Sequence, residues 1–229
     1  MATFCLLHGS WHDGASWDGL RVPLRRRGHQ AVAPDLPIDD PATGWSERAR
    51  PAERALEGAA GPLVIVAHSG ASGYGALVAA WLDDPLLVYL CPRLVPFASH
   101  PSAPNAFRPG FPFPPPRSDG ATVWDREAAI KAMYPRLPRA AAEELADRLR
   151  PTAPPVGEYP LPGHPDVATA LVYAREDELF EPSWERFMSR ELLGVDPIEI
   201  PTGHFPMVED PEGLAGVLDR LAREHAQRP

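Results

Sequence analysis

The chain has 229 residues, 44% of them apolar, and no run of eighteen apolar residues. That is long enough for one large domain with a continuous core and too interrupted for a membrane-spanning helix. The net charge of −9, with Lys131 the only lysine among 22 basic residues, argues against a nucleic-acid partner, and Arg25-Arg26-Arg27 suits a solvated helix end.

In chain order, Thr3 to His8 reads as a strand directly at the start, with no basic leader before it, so a cytoplasmic chain without a cleaved signal is expected. Ala15 to Arg27 reads as a helix with Trp17, Leu20 and Leu24 on one face and Gly28 as its stop. Gln30 to Pro34 is a second short strand, followed by a loop from Asp35 to Pro41. A helix over Ser46–Ala60, a strand over Leu63–His68, a helix over Gly70–Leu82 and a strand over Leu86–Cys91 complete the first part. These strands are continuous apolar runs rather than alternating ones. Such runs are buried on both faces, as in a mostly parallel sheet between helical layers, an α/β fold.

From Arg93 to Pro165 the composition changes, and 16 of the 30 prolines fall there. Short helices fit Arg126–Tyr134 and Arg139–Leu149, while the remainder reads as loop or polyproline II. Phe97, Phe107, Phe111, Phe113, Trp124 and Tyr134 make it too aromatic for a solvated linker, so an ordered cap inserted into a single domain is expected. The βα rhythm then resumes with a strand over Val167–Ala174, a helix over Pro182–Leu193, a strand over Asp196–Ile200 and a closing helix over Glu212–His225. Cys5 and Cys91 both fall in core strands and read as buried free thiols of a reducing compartment.

The chemistry centres on Ala67-His68-Ser69-Gly70-Ala71, where an apolar strand meets a helix start. A serine presented on such a turn needs small residues two positions before and after it, because strand and helix backbones pass very close. Ala67 and Ala71 meet that need for Ser69. Ser72 fails it, because Tyr74 is its +2 neighbour and it already lies within the helix. A serine hydroxyl also needs a base. His204 follows the last predicted strand, on a loop at the C-terminal end of the sheet where α/β sites collect. His8 and His68 belong to strands, His29 and His225 read as surface, and His100 and His164 belong to the cap. The acid is expected at Asp177, three residues beyond a small strand-end residue, with Glu176 and Glu178 as rivals. The segment after the preceding strand, Cys91 to Pro96, carries no carboxylate. Backbone amides of Gly70 and of Ser10, in the turn after the first strand, are the expected oxyanion donors.

These residues resemble the α/β-hydrolase superfamily over essentially the whole chain. The carriers are His8-Gly9-Ser10-Trp11-His12 with Trp17, Ala67-His68-Ser69-Gly70-Ala71, Asp177-Glu178-Leu179-Phe180-Glu181-Pro182, and Gly203-His204. Within it the chain is similar to the branch of plant salicylate-type methylesterases, plant hydroxynitrile lyases and small bacterial hydrolases. The resemblance implies the same Ser-His-Asp triad and oxyanion pair. Lyases of this type use a threonine after the first-strand histidine and a lysine after the catalytic one. Gly9 and Phe205 stand there instead, so cyanohydrin cleavage is not expected.

The expected activity is hydrolysis of an ester or thioester with a small-to-medium hydrophobic acyl group. Non-hydrolytic acyl transfer, cyclisation or C–C cleavage on the same triad, or a binding role on a hydrolase fold, are the alternatives. The apolar pocket should be walled by Trp11, Phe97, Phe180 and Phe205, with His12 beside the oxyanion loop. No cofactor and no metal site is expected, since neither a three-ligand spacing nor a phosphate-binding loop is present. The expected partner is a small-molecule substrate, with no nucleic acid or membrane. Oligomeric state, a homodimer included, is not specified.

Overall fold

The computed structural model describes residues 1–93 and 104–227. Its frame is one sheet of six strands, ordered β2-β1-β3-β4-β5-β6, in which every neighbouring pair is parallel. The strands are β1 (Thr3–Leu7), β2 (Gln30–Val32), β3 (Leu63–His68), β4 (Leu86–Leu90), β5 (Ala168–Ala174) and β6 (Ile198–Ile200). The helices are α1 (Asp18–Arg26), α2 (Trp45–Ala55), α3 (Ser72–Ala80), α4 (Arg126–Met133), α5 (Arg139–Asp147), α6 (Pro182–Phe187), α7 (Pro206–Glu209) and α8 (Pro211–His225).

Successive strand residues point to opposite faces, and here both faces are filled. Phe4, Leu6, Val64, Val66, Val88 and Leu90 join Leu20, Leu24, Leu214 and Leu218 of α1 and α8 on one side. Cys5, Leu7, Ile65, Ala67, Leu87 and Tyr89 join Ala49, Ala52, Tyr74 and Leu77 of α2 and α3 on the other. The register puts Leu7, Ala67, Tyr89 and Leu171 in one row, so the chain leaves β1, β3 and β4 from nearly the same level.

Helix α3 is buried from Ser72 to Ala79, and its small residues have a steric cause. A Cβ on Gly75 would lie 2.4 Å from the Cβ of Ala67, so helix and strand pack backbone to backbone at that point.

Several boundaries differ from the sequence reading. The first helix begins as a 3₁₀ turn, Gly14–Trp17, because Asp13 caps Ala15 N, and Gly28 ends it at φ 82°. The second helix stops at Ala55, five residues short of expectation, and the helix after β5 winds into a π-helix over Met188–Leu193 before Gly194 ends it in the left-handed region. Helix α7 was not anticipated; Pro206 starts it. The sheet is wholly, not mostly, parallel among the described residues. His29 and His225 are buried rather than surface residues. His29 accepts from Ala2 N and pairs with Asp219, and His225 reaches the Asp84 carbonyl.

The described part of the segment between β4 and β5 covers the C-terminal ends of the strands. Its two helices, α4 and α5, pack on each other. The rest is fastened to the sheet loops by polar bonds: Ala153 N to Ile38 O, Arg150 N to Trp11 O, and Glu181 N to Ala106 O, each 2.8–3.0 Å. Arg48 of α2, fully buried, donates to Ala153 O and Asp40 O at 2.7 Å.

Candidate active site

Three loops leaving the sheet at one level carry non-glycine residues in the left-handed region: Trp11 (φ 65°) after β1, Ser69 (φ 50°) after β3 and Cys91 (φ 44°) after β4. That conformation costs a side-chain-bearing residue on the order of 1–3 kcal/mol. At Ser69 it turns the chain from β3 into α3 and leaves the hydroxyl at the end of the sheet.

The Ser69 hydroxyl lies 3.0 Å from His204 Nε2, and His204 Nδ1 lies 2.6 Å from Asp177 Oδ2. A carboxylate only accepts, so Nδ1 carries the proton and donates it to Asp177, and Nε2 accepts from Ser69. The other oxygen, Oδ1, accepts from Leu179 N at 2.8 Å and Phe180 N at 3.0 Å. Both carboxylate oxygens are thus fixed, in a residue 2% exposed. The arrangement can take a proton from the serine hydroxyl and hold the resulting imidazolium against a buried negative charge.

The rival acids face away. Glu176 and Glu178 both pair with Arg136, together with Glu209. Ser72 is occupied as well, its hydroxyl donating to Ser69 O at 2.7 Å.

The Ser10 and Gly70 backbones approach each other closely. A Cβ on Gly70 would come within 2.4 Å of Ser10 Oγ and 3.3 Å of Ser10 N, so only glycine lets the two loops approach this closely. Gly9 is equally confined, its missing Cβ facing His68 Nδ1 and Ser69 Cβ at 3.0 and 3.1 Å.

Two histidines take supporting positions that sequence reasoning missed. His68 Nε2 donates to the His204 carbonyl at 2.8 Å, fixing the loop that carries the imidazole. His8 Nε2 accepts from Leu36 N at 2.9 Å, so its Nδ1 carries the proton and donates to Gly9 O at 3.0 Å. Burial pushes the His8 pKa down to about 4 and that of His68 well below its usual value, so both remain neutral bonding groups. Their place at strand ends was visible in the sequence; the partners, distant in the chain, were not.

A narrow cavity of about 10 Å³ opens on Ser69, lined by Ser10, Trp11, His12, Met133, Leu179, His204 and Phe205 among others. Trp11, His12 and Phe205 thus line the cavity at Ser69. Phe180 is not among its lining residues: it is buried behind His204, ring edge to ring at 4.9 Å, and contributes its amide to Asp177. Phe97 lies outside the described residues. Met133 and Leu179 were not foreseen, since nothing local distinguishes a pocket methionine or leucine from a core one.

Both cysteines are buried and unpaired. Burial pushes the Cys5 thiol up to about 12 and raises the Cys91 thiol well above its usual value. Cys91 brings its sulfur within 4.8 Å of ligand atoms of Asp177 and His204, the one cluster of potential metal-binding side chains among the described residues. Two of those three groups are already hydrogen-bonded to one another.

A family model described as the alpha/beta hydrolase family matches residues 6–217. The chain belongs to that family. It is a hydrolase, and the fold agrees with those of solved structures. A pyrethroid hydrolase from Sphingobium faniae superposes with a TM-score of 0.81 at 22% identity, covering 100% of both chains. A methylesterase from Arabidopsis gives 0.72 at 16% identity, covering 98% of this chain and 100% of that one. Polyneuridine aldehyde esterase gives 0.74 at 16% identity over 97% and 99%. In sequence, the pyrethroid hydrolase of Sphingobium wenxiniae is 24% identical over 97% of this chain and 88% of that protein. Among the described residues no helix is long and apolar enough to cross a membrane.

Proposed function

We propose that the protein is a serine esterase acting on a small-to-medium hydrophobic acyl substrate. The observation that carries this reading is the hydrogen-bonded line from Ser69 through His204 to Asp177, ended by two backbone amides on the carboxylate. Ser69 attacks the carbonyl while His204 removes its proton, and Asp177 stabilises the imidazolium. The amides of Ser10 and Gly70 receive the negative oxygen of the tetrahedral intermediate. His204 then returns the proton to the leaving alcohol, and water activated by the same imidazole releases the acid.

An ester rather than another acyl compound is favoured by the company the chain keeps, since its relatives bear the names pyrethroid hydrolase, methylesterase and aldehyde esterase. The apolar side chains around Ser69 suit a hydrophobic acyl group. The test is labelling with a fluorophosphonate and turnover of p-nitrophenyl esters in wild type, Ser69→Ala and Ser72→Ala. Wild type and Ser72→Ala should label, and Ser69→Ala should not. Labelling that survives in Ser69→Ala, or a wild type that neither labels nor turns over any ester, would reject the reading.

A further inference from the structure

The oxyanion loop, residues 8–12, is held largely from outside itself. Trp11 N donates to Thr152 Oγ1 at 2.7 Å, Trp11 O accepts from Arg150 N at 2.8 Å, and the Trp11 indole donates to Thr122 Oγ1 at 3.0 Å. All three partners belong to the segment inserted between β4 and β5. Within the loop, the Gly9 carbonyl accepts from His8 Nδ1 at 3.0 Å and from His12 N at 3.4 Å, and the Ser10 carbonyl accepts from His12 Nδ1 at 2.7 Å.

His12 in turn is held by the insertion. Its Nε2 lies 2.7 Å from the hydroxyl of Tyr134, at the end of α4. A carbonyl can only accept, so Nδ1 must carry the ring proton. Nε2 of the neutral ring then has only a lone pair, and Tyr134 must be the donor. Both residues are buried, 5% and 2% exposed, and their rings share Phe205 as a neighbour at 5.0 Å. Burial holds both in the required state, with His12 pushed down to about 4 and the Tyr134 phenol raised far out of the neutral range.

We propose that Tyr134 and His12 are a positioning pair that transmits the seating of the inserted segment to the oxyanion loop. The inference rests on the serine esterase reading. The phenol proton fixes which imidazole nitrogen faces Ser10; that nitrogen holds the Ser10 carbonyl, and the preceding peptide presents the Ser10 amide beside Gly70. The hydrogen bonds of the two side chains go to each other and to Ser10 O, not to Ser69, His204 or Asp177. A substrate that displaces α4 would loosen the loop that stabilises its transition state, and one that leaves α4 seated would find it ready.

The test is a double-mutant cycle of Tyr134→Phe and His12→Asn, with folding checked by circular dichroism. The asparagine amide can still donate to the Ser10 carbonyl but cannot reach Tyr134. With p-nitrophenyl butyrate, Tyr134→Phe should lower kcat about tenfold, a fraction of what losing an oxyanion donor costs, with KM changed less than about twofold. Fluorophosphonate labelling should slow by a similar factor. In the His12→Asn background the same substitution should cost less than about twofold more, since the route is already cut. An unchanged kcat, a loss confined to KM, or an equal loss in both backgrounds would overturn the proposal. NMR separates its failure from that of the esterase reading. The wild-type His12 ring should be protonated at Nδ1, and the Ser10 amide resonance should move in Tyr134→Phe whether or not any ester is cleaved. The opposite tautomer, or a Ser10 amide that stays in place, would also reject the pair.

Discussion

The sheet and the inserted segment share one apolar cluster, through Trp124, Ile130, Met133 and Tyr134, but differ in what else holds them. In the sheet half, Leu6, Val66, Val88 and their neighbours are fully buried between helices, and stability scales with apolar area removed from water. In the insertion, much of the attachment is directional: Arg48 to Ala153 O, Arg150 N to Trp11 O, Trp11 N to Thr152 Oγ1, and Tyr134 to His12. Burial tolerates many apolar sequences, whereas each polar bond demands one donor at one place. The sheet should therefore respond to volume, and the insertion to the loss of single hydrogen-bonding atoms.

The largest effect belongs to the loops at the sheet's end. Asp177→Asn should lower kcat by about 10⁴-fold, because the amide cannot hold His204 in the required tautomer. Glu176→Gln and Glu178→Gln, which lose ion pairs to Arg136 and, for Glu176, to Arg175, should stay within a few-fold when assayed alongside.

Arg48→Met tests the polar attachment directly. It leaves the buried carbonyl of Ala153 without a donor, while Asp40 O keeps Thr43, so urea unfolding should show a loss of about 2 kcal/mol. Limited proteolysis should cut the insertion first. The matching test of the sheet is Gly75→Ala, which drives a methyl group into Ala67. A loss of about 2 kcal/mol is expected, with no preferential cleavage of the insertion. If proteolysis does not distinguish the two variants, the contrast between the regions fails.

The smallest effect concerns pH. Glu185 of α6 is 4% exposed, its Oε1 has no hydrogen-bond partner, and burial, reinforced by nearby Asp177, raises its pKa to about 8. The folded protein keeps a proton that the unfolded chain releases, so this group's contribution falls as pH rises from about 4.5 through 8. Glu185→Gln should match wild type in Tm at pH 4.5 and exceed it by several degrees at pH 9. His8 and His12 work in the opposite direction: with folded values near 4, their contribution is present above about 6.5 and lost as pH falls towards 4. A Tm profile that is flat from pH 4 to 9 in both proteins would contradict both assignments.

Much of the sheet was readable because a parallel strand is a continuous apolar run, and Leu63–His68 matched to the residue. The convergence of Ser69, Asp177 and His204 was readable because each follows a strand at the same end of the sheet. The supporting contacts were not: His68 with the His204 carbonyl spans 136 residues, and His12 with Tyr134 spans 122. No local pattern encodes such pairs. Phe180 was misassigned because an aromatic residue near a site can present its ring or its amide, and its identity alone does not say which.

The left-handed conformations of Trp11, Ser69 and Cys91 bear on how this enzyme would respond to selection. At Trp11 the indole bond to Thr122 and its packing on Trp124 outweigh what glycine would relieve, whereas at Ser69 the side chain is small and glycine relieves the strain at little loss of packing. A library screened for heat resistance alone would be drawn towards Ser69→Gly, which discards the proposed nucleophile. Laboratory evolution that rewards survival at high temperature should therefore be run with an assay of ester turnover beside it.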